Sequence, residues 1–175
     1  MPTFNFRERS IEDYDKAIEL DPNDAVAYNN RGISYSDLGH SVEDYDKAIE
    51  LDPSYVSAYY NRGISYSNLG QYQRSVEDYD KTIELDPNVA EAYNNRGISY
   101  SDLGQYQRAL EDYDKTIELH PTASRYYNRG NSYNNLGQYQ RAIEDYDKAI
   151  ELDPDYAEAR THRQRALRAL DESAK

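Results

Sequence analysis

The chain has no cysteine and no tryptophan among its 175 residues, one methionine and two phenylalanines. Without cysteine there is no disulfide, no thiolate metal site and no cysteine nucleophile, so redox and cysteine–zinc roles are excluded. Basic residues are scarce: 20 Lys and Arg stand against 33 Asp and Glu, a formal charge of −13. That balance argues against nucleic acid, whose phosphates are bound by clustered positive surface that releases counterions. No apolar run reaches the roughly 18 residues that a membrane-spanning helix needs. The first ten residues hold no apolar stretch of the secretory-signal kind either. The expectation is a cytoplasmic protein, or a piece of a longer one, with neither nucleic acid nor membrane as partner.

What the chain does have is repetition. Pro22, Pro53, Pro87, Pro121 and Pro154 are separated by 31, 34, 34 and 33 residues, with nearly the same text between them. The copies divide the chain into a half-repeat over 1–22, full copies over 23–53, 54–87, 88–121 and 122–154, and a capping helix with its tail over 155–175. A short-period array has no central core; it buries apolar surface between neighbouring units.

In the copy from Asn88 to Pro121, two amphipathic stretches flank Leu103-Gly104-Gln105, which predicts helix, turn, helix and a proline stop. Ala92, Tyr93, Gly97, Tyr100 and Leu103 recur at helical spacing in the first helix, with Gly97 small enough for close helix approach. Tyr106, Ala109, Leu110, Tyr113, Ile117 and Leu119 form the expected buried stripe of the second. Glu111, Asp112, Asp114, Lys115 and Glu118 are expected on its solvated face. Gly39, Gly70, Gly104 and Gly137 read as left-handed caps after the first helices. Of 20 tyrosines, all but Tyr55, Tyr60, Tyr127 and Tyr156 fall at four recurrent core positions.

An aromatic, a Gly, a Tyr, a small residue, an aromatic and a terminal Pro, here Tyr93, Gly97, Tyr100, Ala109, Tyr113 and Pro121, make the chain resemble the tetratricopeptide repeat family over nearly its whole length. The resemblance implies an all-α, right-handed superhelical solenoid of antiparallel helix pairs whose first helices line a concave groove. It implies a protein-binding scaffold, with no enzyme activity and no cofactor. The groove positions include Asn30, Asn61, Asn95 and Asn128, each before an Arg-Gly pair, with Asn94 and Asn131 beside them. This row resembles the asparagine ladder of the O-linked N-acetylglucosamine transferase repeats, where carboxamides hold the main chain of an extended peptide. A carboxamide's donors and acceptor lie in one plane and match a peptide N–H and C=O. Four such bonds at a net ~1 kcal/mol each fall short of the ~8 kcal/mol that micromolar binding needs. Tyr60, Tyr127, Ile33, Ile64 and Ile98 are therefore expected to add apolar contact, and the ligand to be neutral or basic. The lysines and arginine with which co-chaperones of the family clamp acidic tails are missing here. The adjacent Arg31, Arg62, Arg96 and Arg129 are expected to pack structurally, heads on nearby carboxylates.

The ends and defects suggest alternatives. The first helix is expected from Ser10 to Asp21, with one flank either exposed or covered by Phe4 and Phe6. Arg160, Arg163, Arg165 and Arg168 replace the groove and core pattern of the last helix, which reads as a polar cap. Copy 23–53 lacks three residues, aligned as Tyr-Gln-Arg between His40 and Ser41. Either its second helix starts near Ser41, or residues 25–51 run as one continuous helix. The latter would permit a swapped-hairpin dimer at His40–Ser41. Assembly through swapped hairpins or stacked ends, a targeting region of a larger protein and a designed consensus array are the other readings. His40, His120 and His162 fall at unrelated repeat phases and suggest no metal site.

Overall fold

The computed structural model describes residues 6–35 and 38–173. Phe4 and the groove positions Ser36 and Asp37 lie outside these residues. The described chain is all α-helical, without strands. One compact unit, 1–87, holds α1 (Phe6–Leu20), α2 (Ala25–Ser34), α3 (Leu38–Leu51), α4 (Val56–Asn68) and α5 (Tyr72–Leu85). The other, 88–175, holds α6 (Ala90–Asp102), α7 (Tyr106–Leu119), α8 (Ala123–Asn135), α9 (Tyr139–Leu152) and α10 (Ala157–Ser173). In the first unit α2 with α3 and α4 with α5 form hairpins, α1 lies against α2, and α3 against α4. In the second, α6 with α7 and α8 with α9 form hairpins, α7 lies against α8, and α9 against α10.

Each hairpin closes where a glycine meets a tyrosine ring. A Cβ added at Gly63, Gly97 or Gly130 would stand 2.8 Å from a ring carbon of Tyr79, Tyr113 or Tyr146, and at Gly32 2.7 Å from Tyr45. These rings are at most 4% exposed, so the close approach is built into the core. At the turn of α6 with α7, Gly104 adopts φ +73, and the Gln105 N–H donates to the Tyr100 carbonyl at 2.8 Å, closing the last helical turn. Thr82 and Thr116, at positions that are alanine in other copies, are fully buried. Their hydroxyls donate to the carbonyls of Asp78 and Ala90.

The three-residue deletion is absorbed in neither expected way. α3 keeps the 14-residue length of the other second helices, starting at Leu38. The first helix α2 is cut to 10 residues, where α4, α6 and α8 have 13. Tyr35 leaves the helix with ψ 139. Residues 25–51 are therefore not one continuous helix, and His40–Ser41 lies inside α3 rather than at a hinge. Gly39 is helical too, not a left-handed cap. Packing decides this: the Gly32–Tyr45 contact is preserved, and only the end of α2 yields.

Three further expectations are corrected. The described α1 runs from Phe6, four residues before the expected Ser10, and Phe6 itself is 78% exposed, so that flank of the helix is largely open. Leu119 is 36% exposed at the end of α7. Asp112, assigned to the solvated face, is 4% exposed, as are its equivalents Asp44, Asp78 and Asp145 to within a percent.

Candidate peptide-binding site

The buried aspartates explain the arginines beside the asparagine row. Nε and Nη2 of Arg62 donate to both carboxylate oxygens of Asp78, at 2.8 and 2.6 Å, and Nη1 donates to Asp46 of α3. Arg31 makes the same fork with Asp44 and reaches Asp15 of α1. Arg129 forks onto Asp145 and reaches Asp114 of α7, and Arg96 forks onto Asp112. The fork closes each hairpin; for Arg31, Arg62 and Arg129 the third bond ties it to the preceding helix. Planar guanidinium suits this geometry and ammonium does not. The Asp hydrogen bonds push the Arg31 and Arg129 guanidinium pKa values further up. The arginines are structural, as expected, and their guanidinium groups are committed to aspartates.

In the first unit the row of amides forms a relay. Asn61 Nδ2 donates to Asn29 Oδ1 at 3.0 Å, and Asn29 Nδ2 donates to Asn30 Oδ1 at 3.2 Å. Asn29, expected in the groove, is buried and links α4 to α2. Asn30 and Asn61 are half-buried, and each keeps one amide function outside the relay: the Nδ2 of Asn30 and the Oδ1 of Asn61. Ile33 is 57% and Val26 51% exposed beside Asn30, at i+3 and i−4 on the same face. Ile64 is half-buried, as is Tyr60, whose ring lies 6.0 Å from that of Tyr79.

In the second unit Asn94 Nδ2 donates to Asn95 Oδ1, while Ile98 and Asn128 are half-buried. Tyr127 and Asn131 are taken by α10. The Tyr127 ring lies 5.0 Å from Tyr156 and 5.2 Å from His162. Asn131 Oδ1 accepts from the Tyr146 hydroxyl at 2.8 Å and faces His162 Nδ1 at 2.9 Å. Since that oxygen is an acceptor, Nδ1 carries the proton. Residue 162 follows Asn128 by 34 positions, the period of the repeat, so His162 stands in the asparagine row.

A comparison with family models matches the tetratricopeptide repeat at residues 56–89, 90–122 and 123–156, and a second model described as TPR repeat at 8–39 and 40–70. The chain belongs to the tetratricopeptide repeat family. Solved structures agree with the fold. A crystal structure of MamA is 25% identical with TM-score 0.79, covering 89% of this chain and 99% of that one. A second MamA crystal structure is 27% identical with TM-score 0.77, covering 85% and 83%. TTC0263, a thermophilic TPR protein in Thermus thermophilus, is 19% identical with TM-score 0.68, covering 92% and 90%. No curated protein matches.

Tetratricopeptide repeats are protein-interaction scaffolds, and the residues missed in sequence serve the scaffold. Arg125 replaces the alanine of other copies at the start of α8 and is 6% exposed. It donates to the His120 carbonyl and, at 3.0 Å, to Glu91 of α6, sealing the loop that is one residue short. Nothing local marks such a residue, since its partners come from two other elements.

His162 makes the α10 dock acid-sensitive. Burial, with Arg165 adding to it and Glu158 opposing, holds its pKa below the usual imidazole value. Tyr127, Tyr146 and Asn131 are the groups of α8 and α9 that meet it. A depressed folded-state pKa means stability present above the unfolded value and lost as pH falls through the folded one. Protection factors in α10, which take out the pH dependence of intrinsic exchange, are expected to fall between pH 7 and 5 more than those in α4. Equal changes in both helices would remove the effect.

Proposed function

We propose that each compact unit of this tetratricopeptide chain receives an extended, neutral or basic segment of a partner protein along its own first helices, held at the main chain by Asn30 and Asn61 in residues 1–87 and by Asn95 and Asn128 in residues 88–175. The observation that carries the reading is the relay through Asn29. It orients two amides so that Asn61 keeps an acceptor and Asn30 a donor for a ligand. Packed helices sit about 8–10 Å apart, which extended chain spans in about three residues. The ligand is then read every third residue by main-chain bonds, with apolar side chains between them meeting Ile33, Ile64, Ile98 and Tyr60. Tyr127 and Asn131 leave this surface, because α10 uses them. The reading carries with it a cytoplasmic setting and no catalytic role.

Asn30→Ala with Asn61→Ala is expected to weaken capture on an array of neutral and basic peptides at least tenfold, with helicity unchanged. Capture equal to the unaltered chain returns both residues to structure. A second reading, assembly of copies, is favoured by the exposed Leu20, Val26 and Ile33 in the first unit. Absolute mass against concentration separates the two.

A further inference from the structure

Each hairpin seats its second helix on the first through two adjacent residues, the clamp arginine and the glycine after it. α10 repeats this seat with one residue changed. Arg163 stands at the position of Arg129, and Gln164 at that of Gly130. Arg163 keeps the bond to the preceding helix with its guanidinium turned: Nε, which in Arg129 belongs to the fork on Asp145, donates to Asp147 of α9, where Arg129 uses Nη1 for Asp114. The bidentate half, which Arg129 makes with Asp145, has no counterpart, and Nη1 and Nη2 of Arg163 hold no carboxylate among the described residues. A cavity of about 280 Å³ opens there, lined by Asp147, Ile150, Arg160, Arg163 and Gln164. These are the counterparts of Asp114, Ile117, Tyr126, Arg129 and Gly130.

The chemistry of this seat selects its occupant. Two guanidinium groups on one face, one with its Nη1 and Nη2 open, call for a carboxylate bound bidentately. In the full hairpins that carboxylate is the first aspartate of an Asp-Tyr-Asp sequence on a helix, and the tyrosine ring lies on the glycine. At Gln164 the ring has no room. A Cβ alone at the glycine position would stand 2.7–2.8 Å from a ring carbon, and glutamine carries four more heavy atoms beyond it. Asp-Tyr-Asp occurs in α1, α3, α5, α7 and α9, so every second helix of this chain fails the same test.

We propose that the α9–α10 face is a docking site for an acidic amphipathic helix of a partner protein, one whose carboxylate meets Arg163 and is followed by a small residue, and that Gln164 excludes the Asp-Tyr-Asp helices of a second copy. The site adds a second surface to the scaffold and is independent of the asparagine row. It also closes the end-on route by which copies would stack.

The test uses two helix-stapled peptides with the sequence of residues 139–152, one native and one carrying Tyr146→Ala, titrated into the full chain by fluorescence anisotropy. The alanine peptide is expected to bind at least tenfold tighter than the tyrosine peptide. Gln164→Gly is expected to invert that order, and Arg163→Lys, which keeps the charge but not the fork, to weaken the alanine peptide. No binding of the alanine peptide, or an order unchanged by Gln164→Gly, overturns the proposal. So does a mass of the unaltered chain that rises with concentration and returns to monomer in Arg163→Lys, since a second copy would then fill the seat.

Discussion

Arg129→Ala is expected to destabilise the α8–α9 hairpin by about 3 kcal/mol or more, the range found when one partner of a buried ion pair is removed. Asp145 is 5% exposed and has both oxygens on Arg129, so truncation leaves a charge with neither water nor a counterion. Arg129 also bonds Asp114 and stacks between Tyr126 and Tyr133, so packing is lost with the charge. The replacement Arg129→Met with Asp145→Leu is expected to recover most of the loss, because it removes both desolvation costs together. Repeat arrays need not unfold in one step, so the quantity to measure is amide-exchange protection in α8 and α9. A loss under about 1 kcal/mol for Arg129→Ala would reduce the clamp to the value of a surface pair.

Gly97→Ala is expected to destabilise the α6–α7 hairpin by about 1–3 kcal/mol, the usual cost of overpacking. Helix propensity alone points the other way, by about 1 kcal/mol in favour of alanine. The sign is decided by Tyr113, whose ring carbon lies 2.8 Å from the new methyl position and whose side chain is 2% exposed. The ring is wedged within the hairpin, with its hydroxyl 3.4 Å from Ser101 Oγ. Tyr113→Leu in the Gly97→Ala background is expected to cost less than in the native one, giving a coupling term in a double-mutant cycle. Thermal or denaturant unfolding that shows Gly97→Ala to be stabilising would mean that the two helices stand further apart. The same contact underlies the selectivity assigned to Gln164, so this experiment bears on both.

The clamps also shape what the surface offers a partner. With Arg31, Arg62, Arg96 and Arg129 committed to aspartates, the first helices present amides and isoleucines, not cations, to a ligand. An acidic tail finds no counter-charge there. On α10, Arg160 is exposed and Arg163 holds a carboxylate through Nε alone. On the two proposals above, the surfaces would select opposite partners: a neutral or basic extended segment along the asparagines, an acidic helix on α10.

The period, the helix pairs, the close helix approach at the first-helix glycines and the structural role of the arginines were all legible in the sequence. Each is a short-range pattern written four times, and helical spacing converts it directly into a face. Three things were decided only in the tertiary structure. In α3, α5, α7 and α9 the first aspartate of Asp-Tyr-Asp is buried because an arginine 13 or 16 residues earlier, on another helix, arrives to pair with it. Its own helix periodicity places it among solvated charges. The deletion in copy 23–53 shortens α2 and spares α3, because the clamp and the ring contact lie on the far side of the gap and outweigh one turn of helix. His162 joins the asparagine row, and Tyr127 leaves the ligand surface, because α10 packs where a fifth first helix belongs. Local propensity records what a segment prefers alone. Which polar groups are buried and which remain for a ligand depends on partners that only the packed chain brings together.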